Sequence, residues 1–335
     1  MKVLVTGGTG FVGRHLVRKL VERGEEVRCL VRRGSAGSAV ERMGAEVATG
    51  DITHYESVLD AARGIDVVYH CAAKVGVGGV RSEFYLVNVE GTNYVLKACE
   101  HAGVGRLVHV STQSVTFDHT SKHHADESTP YPSRFRDLYS ETKALGEREV
   151  LSAAKAGRVR AVAIRPTWVW GPGDTTILPS IAKAARLRML MLLDGGRAKV
   201  STSYVENVCD CLILGAMSEV SGEAFFVTDD EDIATREFLE KMAGAVGFPP
   251  PRMSAPYGLV YALAGVAERI QALLSPNNEP LMSRYGIALL GRNLTFSCEK
   301  AKRMLGYRAG VSIDEGMQRL KKWVEELGGV AKLIA

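Results

Sequence analysis

The opening of the chain limits its possible folds more than any other stretch does. An apolar run, Val3 to Val5, is typical of a strand buried on both faces, and an amphipathic helical pattern begins at Phe11. Around this junction lie three glycines: Gly7, Gly10 and Gly13. The first permits a tight turn, the second lets the backbone approach a pyrophosphate, and the third lets the helix pack closely on the strand. This order predicts a nucleotide-binding βα unit, and a purely structural turn is the alternative.

Strand-like and helical patterns alternate through the first half of the chain. Further strands are predicted at Glu26 to Val31, Glu46 to Thr49, Val67 to His70, Leu107 to Val110 and Arg160 to Arg165. Helices are predicted from about Ser82 to Ala102 and from about Asp137 onwards. Because such alternation with short links specifies right-handed crossovers, we expect an α/β fold with a Rossmann-type, doubly wound parallel sheet.

The end of the second strand indicates which dinucleotide is bound. NAD-binding folds place an acidic residue there, whereas this chain has Arg32 and Arg33, which suit a 2′-phosphate through charge-assisted hydrogen bonds. NADP(H) is therefore favoured, NAD(H) is possible, and a solvated turn is the alternative. Asp51 follows the third strand and is a candidate acceptor for the adenine amino group.

The regular alternation ends beyond Gly171-Pro172-Gly173, where helical patterns mix with short strands such as Ala224 to Val227. We expect residues 1–170 to form the NAD(P)-binding Rossmann domain, with about 197–220 returning to it. Residues 171–335 are expected to form mainly a smaller α+β lobe that covers the cofactor and binds the substrate.

Composition excludes several functional classes. The net charge of +4 is small for 335 residues and no basic patch is present, so no nucleic-acid partner is expected. Six scattered cysteines form no C-x-x-C pair, and His119, His123 and His124 are expected to be exposed loop residues, so no metal site is expected. Met1 directly precedes a core strand, and the longest apolar stretch, Ala255 to Ala267, is shorter than the ~20 residues of a membrane span. We therefore expect a cytoplasmic protein without a signal peptide or transmembrane segment.

Tyr139 and Lys143 are the candidate proton-transfer pair. Their i, i+4 spacing puts both side chains on one helical face, although a surface pair with this spacing is common. A tyrosine ordinarily loses its proton near pH 10, and a neighbouring ammonium is expected to lower the pKa of Tyr139. A hydroxyl group is then needed to hold a substrate carbonyl, and Ser111 and Thr112, at the end of a strand, are the candidates.

Six motifs follow one another along the chain: Thr6-Gly7-Gly8-Thr9-Gly10-Phe11-Val12-Gly13, Gly50-Asp51, Asn88-Val89-Glu90-Gly91-Thr92, Ser111-Thr112, Tyr139-Ser140-Glu141-Thr142-Lys143 and Arg165-Pro166-Thr167. Through them the chain resembles the extended short-chain dehydrogenase/reductases of the NAD-dependent epimerase/dehydratase superfamily. It is most similar to the 3β-hydroxysteroid dehydrogenase branch, which includes sterol-4-carboxylate dehydrogenases and 2-alkyl-3-oxoalkanoate reductases. Three segments carry this finer similarity: Trp168-Val169-Trp170-Gly171-Pro172-Gly173-Asp174, Tyr204-Val205-Glu206-Asn207-Val208, and Lys300-Ala301-Lys302-Arg303-Met304-Leu305-Gly306-Tyr307 with Asp314-Glu315-Gly316.

The resemblance implies roles for particular residues. The catalytic triad is expected at Thr112, Tyr139 and Lys143, with Ser111 as a lesser candidate. Together with the motifs above, it implies cofactor contacts at Gly7, Thr9, Gly10, Phe11, Val12, Gly13, Arg32, Asp51, Ile52, Ala72, Ala73, Lys74, Asn88, Tyr139, Lys143, Pro166, Thr167 and Val169. Candidate substrate contacts are Ser114, Trp168 and Tyr257. The family also implies a homodimer formed through the helices that carry Asn88 and Tyr139.

The expected function is NAD(P)-dependent interconversion of a secondary alcohol and a ketone on a small lipophilic substrate of the sterol or 3-oxoacyl type. Apolar stretches at Met189 to Leu193 and Tyr257 to Leu263 would wall such a site, and peripheral membrane contact is possible. The chain departs from the animal steroid enzymes, which often have an acidic residue in place of Arg32 and a membrane-spanning stretch. One alternative is a nucleotide-sugar epimerase or dehydratase, with a second pyrophosphate held by Arg186, Arg188, Arg197 and Arg292. A non-catalytic cofactor sensor is the other.

Overall fold

A computed structural model describes residues 1–76, 78–274 and 283–333. Numbered along the chain, its strands are β1 (Lys2–Thr6), β2 (Glu26–Val31), β3 (Glu46–Thr49), β4 (Val67–His70), β5 (Arg106–Val110), β6 (Lys122–Ala125), β7 (Ala161–Pro166), β8 (Trp168–Trp170), β9 (Met191–Leu193), β10 (Lys199–Tyr204), β11 (Glu223–Val227), β12 (Asp232–Ala234), β13 (Met253–Ala255) and β14 (Leu294–Phe296). Its helices are α1 (Phe11–Glu22), α2 (Gly37–Glu41), α3 (Tyr55–Ala62), α4 (Arg81–Tyr85), α5 (Gly91–Ala102), α6 (Leu138–Lys155), α7 (Ile177–Arg186), α8 (Val205–Met217), α9 (Thr235–Val246), α10 (Tyr257–Leu274), α11 (Arg284–Gly291), α12 (Glu299–Leu305), α13 (Ile313–Leu327) and α14 (Val330–Leu333). A π-helical stretch, Leu86–Glu90, joins α4 to α5.

Seven parallel strands form the main sheet, in the order β11-β7-β5-β4-β1-β2-β3. Helices α1, α8 and α12 cover one face, and α3, α5 and α6 cover the other. The strand order reverses between β1 and β4, so the carboxyl ends of these two strands open the crevice where such sheets bind ligands. The α/β class and the Rossmann-type parallel sheet expected from the sequence are confirmed.

The main sheet takes up more of the second half of the chain than expected. Strand β11 pairs with β7 at the sheet edge, and α12 packs on α8. Within the predicted returning segment, 197–220, helix α8 packs on the sheet, whereas β10 pairs with β8, β12 and β14 in a second sheet. The reason is that Phe225 and Phe226, on opposite faces of β11, are both fully buried, which requires a sheet covered on both sides.

The smaller lobe has its own core around the second sheet, in which β12, β10, β14 and β6 are neighbours. Trp168, Trp170 and Phe238 contribute to this core, which helices α7, α9 and α13 cover. The paired strands β9 and β13 and helices α10 and α11 complete the lobe. Across residues 1–76, 78–274 and 283–333, no helix has the length and apolar character needed to cross a membrane.

Candidate active site

The turn between β1 and α1 requires its glycines. Gly7 has a φ of +71°, and a Cβ atom there would lie 2.6 Å from the Ala72 backbone nitrogen. A Cβ atom on Gly13 would lie 2.1 Å from the Gly7 carbonyl oxygen, so α1 packs against the turn only because residue 13 is a glycine. Gly10 is the N-cap of α1, and no side chain caps the helix there. The first backbone N–H groups of α1 are therefore available to a phosphate, which fits a dinucleotide.

A cleft of about 720 Å³ lies over the ends of β2 and β3, and its lining includes Arg32, Arg33, Asp51 and His54. Both arginines are exposed, and neither forms an ion pair with any residue that the structure describes. The Asp51 carboxylate accepts hydrogen bonds from the Thr53 backbone and hydroxyl, each at 2.9 Å. Two unpaired guanidinium groups at this end of the crevice fit the adenosine portion of a phosphorylated dinucleotide. Ile52 is buried behind the cleft.

Asn88 holds the segment that follows β4. Its amide oxygen accepts from the Lys74 backbone N–H at 2.7 Å. Its amide nitrogen donates to the Lys74 carbonyl and to the Thr142 hydroxyl, both at 3.0 Å. Because both amide hydrogens are used within the protein and the side chain is buried, Asn88 positions Ala72, Ala73 and Lys74 against α6. The Lys74 ammonium forms an ion pair with Glu83 at 2.8 Å.

Four predicted cofactor or substrate contacts lie at the end of β7 and directly after it, where the chain turns towards the smaller lobe: Pro166, Thr167, Trp168 and Val169. Thr167 shares a 2.7 Å hydroxyl hydrogen bond with Ser203, and Trp168 packs edge-on against Phe238. Pro166 is buried and Val169 is half-buried. Tyr257 is only 7% exposed. Its ring stacks on Tyr261 and lies 4.0 Å from the Arg292 guanidinium, so little of it is open to a substrate.

The start of α6 brings the predicted catalytic residues together. Asp137 caps this helix by accepting from the Ser140 backbone N–H at 2.8 Å, and Tyr139 and Lys143 follow on one face. The Tyr139 hydroxyl lies beside the Thr112 hydroxyl at the end of β5, near enough to affect the pKa of Tyr139. The neighbouring Ser111 hydroxyl is buried, has no hydrogen-bond partner among the described residues, and lies nearer to the Glu147 carboxylate, whose pKa it helps to lower. The geometry therefore favours Thr112 over Ser111 as the partner of Tyr139.

The expected lowering of the Tyr139 pKa by Lys143 is not found in the free protein. Burial raises the pKa of Tyr139 to about 12, and the nearby Thr112 hydroxyl opposes this rise. The Lys143 ammonium instead donates to the Val110 carbonyl at 2.7 Å and lies 3.4 Å from His109 Nε2. Burial lowers the pKa of Lys143 to about 8, against the opposing charge of Glu147. The lysine charge is thus bound at the end of β5 and is available to a ligand only when Nζ turns away.

Behind Tyr139 lies a group that we call the charged cluster: Lys143, Glu147 and Arg165. Arg165 forms a bidentate ion pair with Glu147, with contacts of 2.9 Å and 2.6 Å. Burial opposes ionisation of Glu147, but Arg165 and a 2.6 Å hydrogen bond from Tyr131 outweigh it and lower the pKa of Glu147. Sequence reasoning missed Glu147, although its spacing of four residues from Lys143 was a usable signal.

In front of Tyr139 lies a second group, which we call the aromatic cluster: Phe117, His119, Tyr261 and Tyr285. The Tyr285 hydroxyl is 2.8 Å from the Ser114 hydroxyl, and its ring lies edge-on to Tyr139. His119 Nδ1 is 3.0 Å from the Tyr261 hydroxyl. Sequence reasoning identified Ser114 and placed Tyr261 within the wall-forming stretch Tyr257 to Leu263, but it missed Tyr285 and the position of His119, because no local pattern joins them.

The prediction that the loop histidines are exposed is wrong for His119. This residue is buried because Phe117 stacks on it and Tyr261 and Tyr285 pack around it. His123 and His124 are exposed as expected. Among the described residues, no group of three or more His, Cys, Asp or Glu side chains could hold a metal ion.

The fold and the site define a nicotinamide-dependent oxidoreductase of the short-chain dehydrogenase class, acting on CH–OH groups. Residues 4–256 match the 3-beta hydroxysteroid dehydrogenase/isomerase family, and the chain belongs to that family.

Two curated relatives match almost end to end. A 2-alkyl-3-oxoalkanoate reductase from Stenotrophomonas maltophilia is 37% identical over 332 residues, covering 96% of this chain and 98% of the relative. A 4-hydroxy-2-methyl-3-oxo-4-farnesyl-3,4-dihydroquinoline-1-oxide ketoreductase from Stigmatella aurantiaca is 36% identical over 322 residues, covering 96% of each chain. Both names describe reduction of a ketone, in agreement with the oxidoreductase class.

Solved structures agree on the fold. The crystal structure of gox2253 superposes with a TM-score of 0.79 at 26% identity, covering 97% of this chain and 98% of the other. Other structures with this fold, at 24% identity or less, hold NAD with a UDP-sugar, and their likeness concerns the fold alone.

Proposed function

We propose that this chain reduces a ketone on a small lipophilic molecule at the expense of NADPH, using Thr112, Tyr139 and Lys143. One observation carries the proposal: the Tyr139 hydroxyl lies beside the Thr112 hydroxyl, and Tyr139 shares a helical face with Lys143. This arrangement offers two hydroxyl groups to one carbonyl oxygen, with an ammonium group one helical turn away.

The roles of the three residues follow from their positions. Thr112 and Tyr139 hydrogen-bond the carbonyl oxygen, which polarises the carbonyl and fixes its orientation. When bound, the nicotinamide supplies the hydride. Tyr139 then donates its phenolic proton to the developing alkoxide. With the cofactor bound, the Lys143 ammonium, which donates to the Val110 carbonyl in the free protein, would hold the nicotinamide ribose, and its charge there would lower the pKa of Tyr139 from the raised value of the free protein.

A lipophilic ketone is supported by the relatives and by the aromatic cluster. The two relatives reduce a 2-alkyl-3-oxoalkanoate and a farnesylated quinoline oxide, as their names state. In this chain the substrate side of Tyr139 is lined by Tyr285, with Tyr261 and Phe117 behind it. Aromatic walls with a few hydroxyl groups suit an apolar molecule that carries one carbonyl group.

Preference for NADPH is supported by Arg32 and Arg33, which line the adenosine end of the crevice without ion pairs among the described residues. We expect Arg32→Asp to raise the Michaelis constant for NADPH by about 10- to 100-fold, because a charge-assisted hydrogen bond contributes about 1.5–3 kcal/mol. The Michaelis constant for NADH should change little. Arg23→Asp, on the surface beyond α1, is the matched control. An unchanged ratio of the two constants in Arg32→Asp would show that Arg32 does not bind the 2′-phosphate.

A homodimer in the cytoplasm, in peripheral contact with a membrane, completes the proposal. Support for the dimer comes from exposed apolar groups beside the Asn88 segment, since Val80 and Leu86 are each 40% exposed. These side chains lie close to α6, where α4 contacts it, and a twofold contact would cover them.

The experiment that tests the function is a substrate panel. Initial rates are measured in both directions with 2-alkyl-3-oxoalkanoates, 3-oxosteroids and 3β-hydroxysterols, each with NADP(H) and NAD(H). The proposal expects ketone reduction, with the higher kcat/KM for NADPH. Turnover of UDP-sugars without exchange of free cofactor would contradict it and favour an epimerase instead. Cofactor binding without turnover of any member of the panel would favour a sensor.

A further inference from the structure

The outward side of helix α10 is apolar, although it faces solvent in the described structure. Among its side chains, five large apolar groups are between 51% and 78% exposed: Leu259, Leu263, Val266, Ile270 and Leu274. A surface helix of a globular protein normally places polar residues on this side. Helix α10 therefore presents to solvent the kind of surface that other helices bury.

The exposed side chains form one continuous surface, which we call the α10 apolar face. They follow one another at spacings of four, three, four and four residues. At about 100° per residue, these five and the exposed Ala262 and Ala267 occupy an arc of about 140° of the helix circumference. Tyr257, Val260 and Ala264 on the other side are buried in the lobe.

Exposed cations outnumber exposed carboxylates on α10 and on the segments that lead into it, where the exposed Asp194 accepts from the Tyr257 backbone N–H at 3.0 Å. Glu268 is the one acidic residue of α10, and it pairs with Arg284 at 2.7 Å. Arg269, at the edge of the face, has no ion pair among the described residues. The segment leading into β9 and the residue before β13 add exposed cations, interleaved with exposed apolar groups and also without ion pairs in the described part of the chain: Lys183, Arg186, Leu187, Arg188, Met189, Arg252 and Met253. Strands β9 and β13 pair directly before α10 begins, which ties the two groups together.

We propose that the α10 apolar face docks this protein on the anionic surface of a phospholipid bilayer. Apolar side chains along one face of the helix enter the acyl boundary, while flanking cations meet the headgroups. A second copy of the chain is a poorer occupant. A twofold contact through this face would bring the cations of both copies together, and no unpaired acidic group of α10 is available to neutralise them.

The docked face is the outer wall of the substrate side of the site. On the inner side of the same helix, Tyr261 bonds His119. Helix α11 packs on α10 and carries Tyr285, which lies edge-on to Tyr139. This step rests on the proposed function: a lipophilic ketone dissolved in the bilayer would lie one helix away from Tyr139. Docking itself needs neither cofactor nor substrate.

The test is cosedimentation of the full chain with vesicles, in the absence of cofactor and substrate. Binding is expected to vesicles of phosphatidylcholine with phosphatidylglycerol, to weaken with phosphatidylcholine alone, and to weaken with added salt. Leu263→Glu with Ile270→Glu should reduce vesicle affinity by at least about tenfold, because two inserted apolar groups become carboxylates. Met217→Glu with Leu327→Glu adds the same charge at exposed apolar positions on α8 and α13 and should bind as the wild type does. Arg186→Ser with Arg188→Ser should remove the preference for the anionic vesicles.

A second measurement covers the case in which the double glutamate variant does not fold. In Leu263→Trp, the new indole should be quenched by brominated lipid chains, well beyond the quenching of the three native tryptophans in the wild type. Failure of the wild type to sediment with either vesicle, or an unquenched indole in Leu263→Trp, would overturn the proposal. So would a dimer that dissociates in the double glutamate variant. Ketone reductase activity is assayed separately, so docking and the proposed function fail independently.

Discussion

The two groups of side chains that meet at Tyr139 are built in opposite ways. The charged cluster comes from one helix and the strand beside it, with Lys143 and Glu147 four residues apart on α6 and Arg165 on β7. The aromatic cluster joins segments far apart in the chain: the contact between His119 and Tyr261 spans 142 residues, and that between Ser114 and Tyr285 spans 171.

The energetics of the two clusters differ as well. Buried charges demand close compensation, since an unpaired charge in a low-dielectric interior costs several kcal/mol. The aromatic cluster is held by ring packing and single hydroxyl hydrogen bonds, each worth about 1 kcal/mol. We therefore expect changes in the charged cluster to affect stability and the reaction with every substrate. Changes in the aromatic cluster should alter the affinity for particular ketones.

The largest effect is expected at Tyr139, where the clusters meet. Tyr139→Phe removes the hydroxyl that lies beside Thr112 and that is proposed to donate the proton. The kcat for ketone reduction should fall by about three orders of magnitude, in the range measured for removal of a general acid. The dissociation constant of NADPH, measured by fluorescence titration, should stay within about twofold because the backbone and Lys143 contacts remain.

Tyr85→Phe is the control for this substitution, because the Tyr85 hydroxyl bonds Glu141 on the neighbouring surface of α6. It should leave kcat unchanged. Ketone reduction by Tyr139→Phe at more than about a tenth of the wild-type rate would assign the proton transfer to another group, and the two clusters would then no longer share a centre.

The sequence could predict features that depend on neighbouring residues, but not contacts between segments far apart in the chain. Strands β2 and β4 were predicted to the residue, because an apolar run is a property of the local chain. Thr112, Tyr139 and Lys143 lie together as expected, since strand ends and helical spacing decide their positions. The burial of His119 could not be predicted, because it depends on tyrosines more than 140 residues away. The same holds for β11, whose five residues give no sign of which sheet they join.

The buried ion pair is expected to give the next largest effect. Glu147→Gln leaves Arg165 charged and uncompensated in the interior, and should lower the free energy of unfolding by about 3–5 kcal/mol. Denaturant titration measures this loss. The double change Glu147→Gln with Arg165→Met removes both charges and should restore part of the stability. Glu100→Gln breaks the exposed pair with Arg158 and should cost at most about 1 kcal/mol. Equal losses at the two sites would mean that the charged cluster behaves like a surface pair.

Lys143 should give the protein a pH dependence of its own. Its pKa is about 8 in the folded chain and 10.5 ordinarily, so between these values the unfolded chain binds more protons and stability rises with pH. The difference of 2.5 units corresponds to about 3 kcal/mol, gained between about pH 8 and pH 10.5. Lys143→Met should lack this gain, whereas Lys155→Met, at the exposed end of α6, should retain it. Parallel pH profiles for wild type and Lys143→Met would show that the ammonium is not held in a desolvated site.

The smallest effect is expected in the aromatic cluster, and it is the most informative about the difference between the two. Tyr285→Phe keeps the ring against Tyr139 but removes the hydroxyl that bonds Ser114, which itself accepts from Thr112 at 3.3 Å. Loss of one such bond, worth about 0.5–1.5 kcal/mol, should raise the KM for a lipophilic ketone by roughly 2- to 10-fold, with little change in kcat or in the KM for NADPH.

Tyr261→Phe, which frees His119, should have a smaller effect because His119 does not touch the carbonyl-binding hydroxyls. If Tyr285→Phe instead lowered kcat for every ketone, the aromatic cluster would take part in the proton transfer. The expectation that the aromatic cluster affects only substrate affinity would then be wrong. The Ser114 hydrogen bond would act in the same hydrogen-bonded chain as Thr112 and Tyr139.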